Sequence, residues 1–233
     1  MNILPKEIWE IILEFIEVNE DKCRLLMTCI DMLKCKFYFY ESVRMNDKEI
    51  QNSMWFDRFT KIICNSVNVK IPLSVTHLFF SDLFNESVGN FIPSTVTHIV
   101  FGDLFNQPIN GCIPTSVTHL TFKSYFQQFI NDSIPYSVTH LIFGHRFNLP
   151  IKNNIPSSVT HLTFGKNFGQ SLYDIPSSVS HLKISNYSMI NNEIPPFIKE
   201  IIIYSDHYGI APEWRKYILK CNKKNDTKII FSE

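Results

Sequence analysis

Ile155-Pro156-Ser157-Ser158-Val159-Thr160-His161-Leu162-Thr163-Phe164 decides how the chain folds, because it recurs. Copies of I-P-x-S-V-T-H-L-x-F stand at Ile71–Phe80, Ile92–Phe101, Ile113–Phe122 and Ile134–Phe143, with a close copy at Ile175–Ile184 and a decayed one at Ile194–Ile203. The prolines fall at 72, 93, 114, 135, 156, 176 and 195, so the spacing is 21, 21, 21, 21, 20 and 19 residues. A second half-motif follows the proline by twelve residues: Phe84-Asn85, Phe105-Asn106, Phe126-Gln127, Phe147-Asn148 and Phe168-Gly169. Four residues further on comes an aliphatic, Val88, Ile109, Ile130, Ile151 or Leu172. Units this short cannot bury a core alone, so they must stack as a solenoid.

Within a unit, Val159, Leu162 and Phe164 have the L-x-x-L-x-L spacing of a leucine-rich-repeat strand. Alternation along a strand then sends Leu162 and Phe164 inward and His161, Thr163 and Gly165 outward. Phe168 and Leu172 supply the inward residues of the return path. Ile155 fills the corner, and Pro156 turns the chain where no ladder donor is needed. About 21 residues leave no room for a long helix between strands, so short 3₁₀ or irregular returns are expected. Parallel stacking places like residues about 4.8 Å apart. Columns of Leu78, Ile99, Leu120, Leu141, Leu162 and Leu182, and of Phe101, Phe122, Phe143 and Phe164, account for much of the apolar content as core. No cofactor is needed to explain it.

Composition narrows the function classes. The 233 residues carry no net formal charge, which argues against a general nucleic-acid or polybasic membrane surface. Cysteines at 23, 29, 35, 64, 112 and 221 include no C-x-x-C pair, so a zinc site is not expected. The stretch MNILPKEIWEIILEF lacks a basic region followed by an apolar one and does not read as a signal peptide, and no 18-residue apolar run occurs. An intracellular, reduced setting follows. The N-x-S/T triplets at Asn85, Asn131, Asn186 and Asn225 then read as coincidences.

The first residues have a different character. Pro5 and Glu7 are helix-start signals. Ile8, Ile11, Ile12 and Phe15 mark one helix face, and Trp9, Leu13 and Ile16 a neighbouring one. A short helix apolar on so much of its circumference must bury two sides. A second helix, about residues 21–33, can cover one; the other needs the solenoid's first unit or a separate protein. The pattern L-P-x-E-I-x-x-x-I-L-x-x-I at Leu4–Ile16 is similar to the F-box. The I-P-x-S-V-T-H-L-x-F…F-N-x-P-I unit resembles the FNIP repeat. Together they resemble the F-box and FNIP repeat-containing proteins of giant amoebal viruses and social amoebae. That resemblance implies an α+β chain: an F-box-like helical domain (1–45), a linker with a degenerate cap repeat (46–70), an FNIP solenoid (71–204) and a C-terminal cap (205–233). It further implies that Leu4, Pro5, Glu7, Ile8, Ile11 and Ile12 grip a Skp1-like adaptor in the cytoplasm, the host's if the chain is viral. Toward its end the first module departs from the F-box pattern, reading Lys36-Phe37-Tyr38-Phe39 where a tryptophan is usual.

Phe59, Ile62 and Cys64 repeat the strand spacing and are expected to form the degenerate first unit, with Trp55 and Phe56 packed on it. At the other end, Ala211-Pro212-Glu213-Trp214 reads as a helix start. Trp214, Tyr217, Ile218 and Cys221 share one face of that helix, and residues 227–231 read as a closing strand.

The strand's outward positions form three expected columns. The first is His77, His98, His119, His140, His161 and His181. The second is Phe79, Val100, Thr121, Ile142, Thr163 and Lys183. The third is Ser81, Gly102, Lys123, Gly144, Gly165 and Ser185. Imidazoles so close suggest a metal, yet a flat ladder without carboxylate or thiol does not make a closed tetrahedral set; hydrogen bonding to the next unit or to neighbouring threonines is the plainer reading. Crowded like charges should keep these rings neutral near pH 7. The columns hold no paired carboxylates, no phosphate loop and no nucleophile motif, so no enzyme is expected. The second column varies most and presents apolar side chains outward, as an interaction surface does. The expectation is a non-enzymatic substrate receptor of a Skp1-cullin-F-box ubiquitin ligase holding a target protein, or a stand-alone interaction scaffold.

Overall fold

Among the described residues ten short strands hydrogen-bond side by side, in chain order, into one sheet. The computed structural model describes residues 43–44, 60–186, 189–190, 194–204, 210–222 and 226–232. The strands are β1 (Val43–Arg44), β2 (Lys61–Cys64), β3 (His77–Phe80), β4 (His98–Phe101), β5 (His119–Phe122), β6 (His140–Phe143), β7 (His161–Phe164), β8 (His181–Ile184), β9 (Glu200–Tyr204) and β10 (Lys228–Ser232). Every pair is parallel. The register matches like with like: His119 lies beside His98 and His140, and Leu120 beside Ile99 and Leu141. A parallel neighbour requires a crossover, and here each crossover is the remainder of one unit. From β2 to β9 the described residues of the crossovers are irregular chain and turns, with a 3₁₀ turn at Leu172–Asp174, and the β9–β10 crossover carries a helix.

The core is a set of columns. Val75, Val96, Val117, Val138, Val159 and Val179 are fully buried, as are Leu120 and Leu141. Two phenylalanine ladders run through it. Phe80, Phe101, Phe122, Phe143 and Phe164 stack at 4.9–5.7 Å between ring centroids. Phe84, Phe105, Phe126, Phe147 and Phe168 stack at 6.0–6.2 Å. Within a unit the two rings meet closely, as at Phe122–Phe126, 3.9 Å. Burying each ring contributes roughly 2–3 kcal/mol, so the stack is held mainly by contacts between neighbouring units.

Polar ladders fix the same register. Ser116, Ser137 and Ser158 each donate Oγ–H to a valine carbonyl of the preceding unit, at 2.6–2.8 Å. On the return path Asn85 Oδ1 accepts from Asn106 N, Asn106 Oδ1 from Gln127 N, Gln127 Oε1 from Asn148 N, and Asn148 Oδ1 from Gly169 N, at 2.8–3.0 Å. The residue after the half-motif phenylalanine is therefore an amide because it satisfies a backbone N–H one unit away. Sequence reasoning noticed the position and missed this role.

Some expectations change. The third column is not an open surface. A Cβ on Gly102 would lie 2.0 Å from Ser81 O, one on Gly144 2.2 Å from Lys123 O, and one on Gly165 2.3 Å from Gly144 O. At these three glycines successive backbones approach too closely for a side chain, and Gly102 and Gly165 are buried, whereas Lys123 in the same column keeps its side chain exposed. Strand β1 has no counterpart in the sequence reading. The degenerate unit places Ile62 and Cys64 in the core on β2, and burial pushes the Cys64 thiol up to about 12. Phe59, Trp55 and Phe56, like Leu4, Pro5, Glu7, Ile8, Ile11 and Ile12, lie outside the described residues.

The C-terminal cap is a helix and a strand. Helix α1 (Pro212–Cys221) has proline in its first turn and Lys220 in its last, and β10 continues the sheet. Ile218 is buried, but Trp214 is 40% and Tyr217 37% exposed, so the expected four-residue apolar face narrows to Ile218 with Cys221 packed on the core. Trp214 and Tyr217 instead meet each other edge to face at 5.7 Å. Thr227 Oγ1 donates to Ile198 O at 2.7 Å, tying the last strand to the stack.

Candidate functional site: the outward face of the sheet

The outward face is built by strand alternation. In β5 the burial runs half-buried, buried, half-buried, buried along His119, Leu120, Thr121 and Phe122. The structure brings all six predicted histidines into one column. Consecutive rings are 4.1–4.3 Å apart and within 14° of parallel. Register extends the column beyond what the motif shows: Lys61 precedes His77, and Glu200 then Lys228 follow His181. The column therefore does contain a carboxylate, which the motif hid because the seventh copy has decayed. It is a single one. Glu200 meets Lys228 at 2.8 Å, and that hydrogen bond holds its carboxyl below the usual range.

Each imidazole Nδ1 lies 2.8–2.9 Å from the preceding threonine hydroxyl, at Thr76, Thr97, Thr118, Thr139 and Thr160, and from Ser180 at 2.9 Å. The threonine hydroxyls also reach the carbonyl one unit back, at 3.2–3.4 Å. A hydroxyl has one proton. Either it donates to Nδ1 and the ring carries its proton on Nε2, or it donates to the carbonyl and Nδ1–H donates to it. Both arrangements suit a neutral ring and leave Nε2 unused by the threonine. Burial first, and neighbouring basic groups second, hold His77, His98, His119, His140 and His161 below the usual imidazole range; for His77 the larger of these groups' effects is that of Lys61, elsewhere that of an adjoining histidine. Charge crowding alone was expected, so desolvation is the larger cause.

This geometry does not gather ligands. Near-parallel rings point their outward nitrogens side by side, not at a common centre as a tetrahedral ion requires. Among the described residues no group of three or more histidine, cysteine, aspartate or glutamate side chains is placed to hold a metal. Asp82 and Asp103, adjacent in the stack, are both engaged: Asp82 with Lys123 at 2.7 Å, Asp103 with the Ser124 hydroxyl at 2.6 Å.

The second column runs beside the histidines. Phe79, Val100, Thr121 and Thr163 are half-buried, while Ile142 and Lys183 are exposed. Lys183 lies over the Tyr204 ring at 4.8 Å. Register adds Ile63 before Phe79 and Ile202 and Ile230 after Lys183, all half-buried. An apolar band therefore borders the imidazoles along nearly the whole sheet. A separate open groove of about 650 Å³ lies on the return side of the strands, lined by Leu104, Asn106, Tyr125, Gln127, Arg146 and Asn167.

The FNIP repeat family model matches residues 105–146 and 147–187. Among solved structures the chain is similar to CroV588, described as a novel circular LRR protein, with 33% identity and a TM-score of 0.56. That likeness covers 64% of this chain and 24% of CroV588, so the chain spans about a quarter of that protein's length. No curated protein matches the chain. The described part is thus a leucine-rich-repeat-like solenoid, in which residues 105–187 are similar to the FNIP repeat. No helix among the described residues is long and apolar enough to cross a membrane.

Proposed function

We propose that the chain is a non-enzymatic interaction protein whose sheet face holds a target protein. The observation that carries this reading is the second column. Its residues differ from unit to unit on a register fixed by two phenylalanine ladders and three polar ones. Such a face is rigid, so little ordering entropy opposes binding. Ile142, 39% exposed, stands at its middle, with Val100 and Phe79 toward one end and Lys183 toward the other. A partner with a matching apolar strip bounded by a carboxylate suits it.

The finer reading joins this face to ubiquitin transfer. Leu4, Pro5, Glu7, Ile8, Ile11 and Ile12 would dock the F-box-like segment on a Skp1-like adaptor, and the solenoid would raise the ligase's local concentration around its target. Support comes from the L-P-x-E-I sequence pattern and from the helical spacing of the apolar residues around it. The test is co-purification with recombinant Skp1. Wild type should retain it, and Leu4→Asp/Ile8→Asp should lose it while melting at the same temperature. Absence of Skp1 from wild type, or equal retention by both, would leave a stand-alone scaffold.

A further inference from the structure

Where each strand ends, a second backbone ladder continues along the stack. Leu104 N donates to Asp82 O, Tyr125 N to Asp103 O, Arg146 N to Ser124 O and Asn167 N to His145 O, at 2.8–3.0 Å. Two residues per unit are thereby set in register along one edge. The first of each pair reads Asp82, Asp103, Ser124, His145, Lys166. The second reads Leu83, Leu104, Tyr125, Arg146, Asn167. Inverting the order about Ser124 and Tyr125 brings acid to base at each end. The early half has two carboxylates against one ammonium, Lys123, and Asp82 keeps 60% of its side chain exposed. The late half has Arg146 and Lys166, for which no carboxylate lies within ion-pair distance among the described residues. Leu83 is 81% exposed, and Leu104 and Tyr125 about half that, with the Arg146 guanidinium over the Tyr125 ring at 4.2 Å.

We propose that this edge is a self-complementary docking surface on which a second copy of the chain lies antiparallel, its two-fold axis passing at Ser124 and Tyr125. A two-fold contact requires that each residue meet its counterpart in both directions. The edge meets that condition in its charged residues, while Leu83 comes to lie against the partner's Asn167. Asp82 faces the partner's Lys166, Asp103 the partner's His145, and Leu104 the methylene stem of the partner's Arg146. The open groove beside Leu104, Tyr125 and Arg146 is covered by the same contact. Five rungs span about 20 Å at about 4.8 Å each, which is short for a stable interface. The dimer is therefore a weak one, on the order of micromolar, and salt weakens it because its Asp82–Lys166 pairs are exposed.

Sedimentation velocity on the full chain tests this over about 1–100 µM, at about 0.05 and 0.5 M salt. Wild type should pass from monomer to dimer, and the transition should shift to higher concentration in salt. Asp82→Lys and Lys166→Asp should each raise the dissociation constant at least tenfold. Mixing these two variants should restore association, as should combining both changes in one chain. Thermal melts confirm that the exposed substitutions leave the fold intact. A wild type monomeric throughout overturns the proposal. So does a dimer indifferent to either single change, or failure of both the mixture and the double variant to recover.

Discussion

Phe122→Ala removes one rung from the core and measures what the stack is worth. The ring is fully buried, 3.9 Å from Phe126 and 5.3 and 5.6 Å from Phe101 and Phe143. Losing its burial forfeits roughly 2–3 kcal/mol, and each ring pair adds about 0.5–1.5 kcal/mol beyond area. Neighbours held by two ladders cannot collapse into the gap, so a loss at the upper end of the about 3–5 kcal/mol usual for Phe→Ala is expected. That is a large share of an ordinary domain's stability, about 5–15 kcal/mol. Phe129 is the control: it belongs to the same unit but is 62% exposed. Phe129→Ala should change stability by less than about 0.5 kcal/mol. Urea unfolding followed by far-ultraviolet circular dichroism reads both, provided the slope is unchanged. A loss under about 1 kcal/mol for Phe122→Ala, or equal losses for the two, would refute the ladder as the source of stability.

Acid should weaken the fold. The five imidazoles held low in the native state bind protons more readily once unfolded, so stability is full above the ordinary imidazole range and falls as pH drops through it. Melting temperatures at about pH 7.5 and 5 bracket that range; His119→Asn/His140→Asn should narrow their difference, and melts that coincide in wild type would sink the idea. Gly144→Ala would set a methyl against Lys123 O and should destabilise by about 1–3 kcal/mol, whereas Gly169→Ala, whose nearest neighbour is 3.9 Å away, should be tolerated in the same melts. Asn106→Ala leaves Gln127 N without its acceptor and should lose about 1 kcal/mol; Asn106→Asp keeps an acceptor there and should recover most of it.

The repeat made the fold legible before any coordinates, because a fixed period in a chain determines register: the columns of Leu120, Leu141 and Leu162 follow from counting. What the period could not carry was anything that only one unit does. Val43 and Arg44 show no motif, yet pair with Ile62 and Ile63. Glu200 joined the histidine column unseen because Lys199-Glu200 replaces the Thr-His of other copies. The glycines of the third column follow the alternation rule outward, but the close approach of successive turns closes that space. Trp214 and Tyr217 have the spacing of a buried face and stay in water, since one helix covering one end of the stack needs only Ile218. Of the outward face, both the residues and the threonine partners of the histidines were readable; which ring nitrogen meets the hydroxyl was not, because that depends on side-chain rotamers.

Distance growth along the second column tests the stack itself. Spin labels at Ile63→Cys paired in turn with Ile142→Cys, Lys183→Cys and Ile202→Cys, in a chain with its native cysteines replaced, sample four, six and seven rungs. Pulsed electron-spin measurements should give separations that rise by about 4–5 Å for every unit added. Separations that fail to increase in that order, or that jump by the length of a helix between neighbouring units, would contradict an in-register parallel stack.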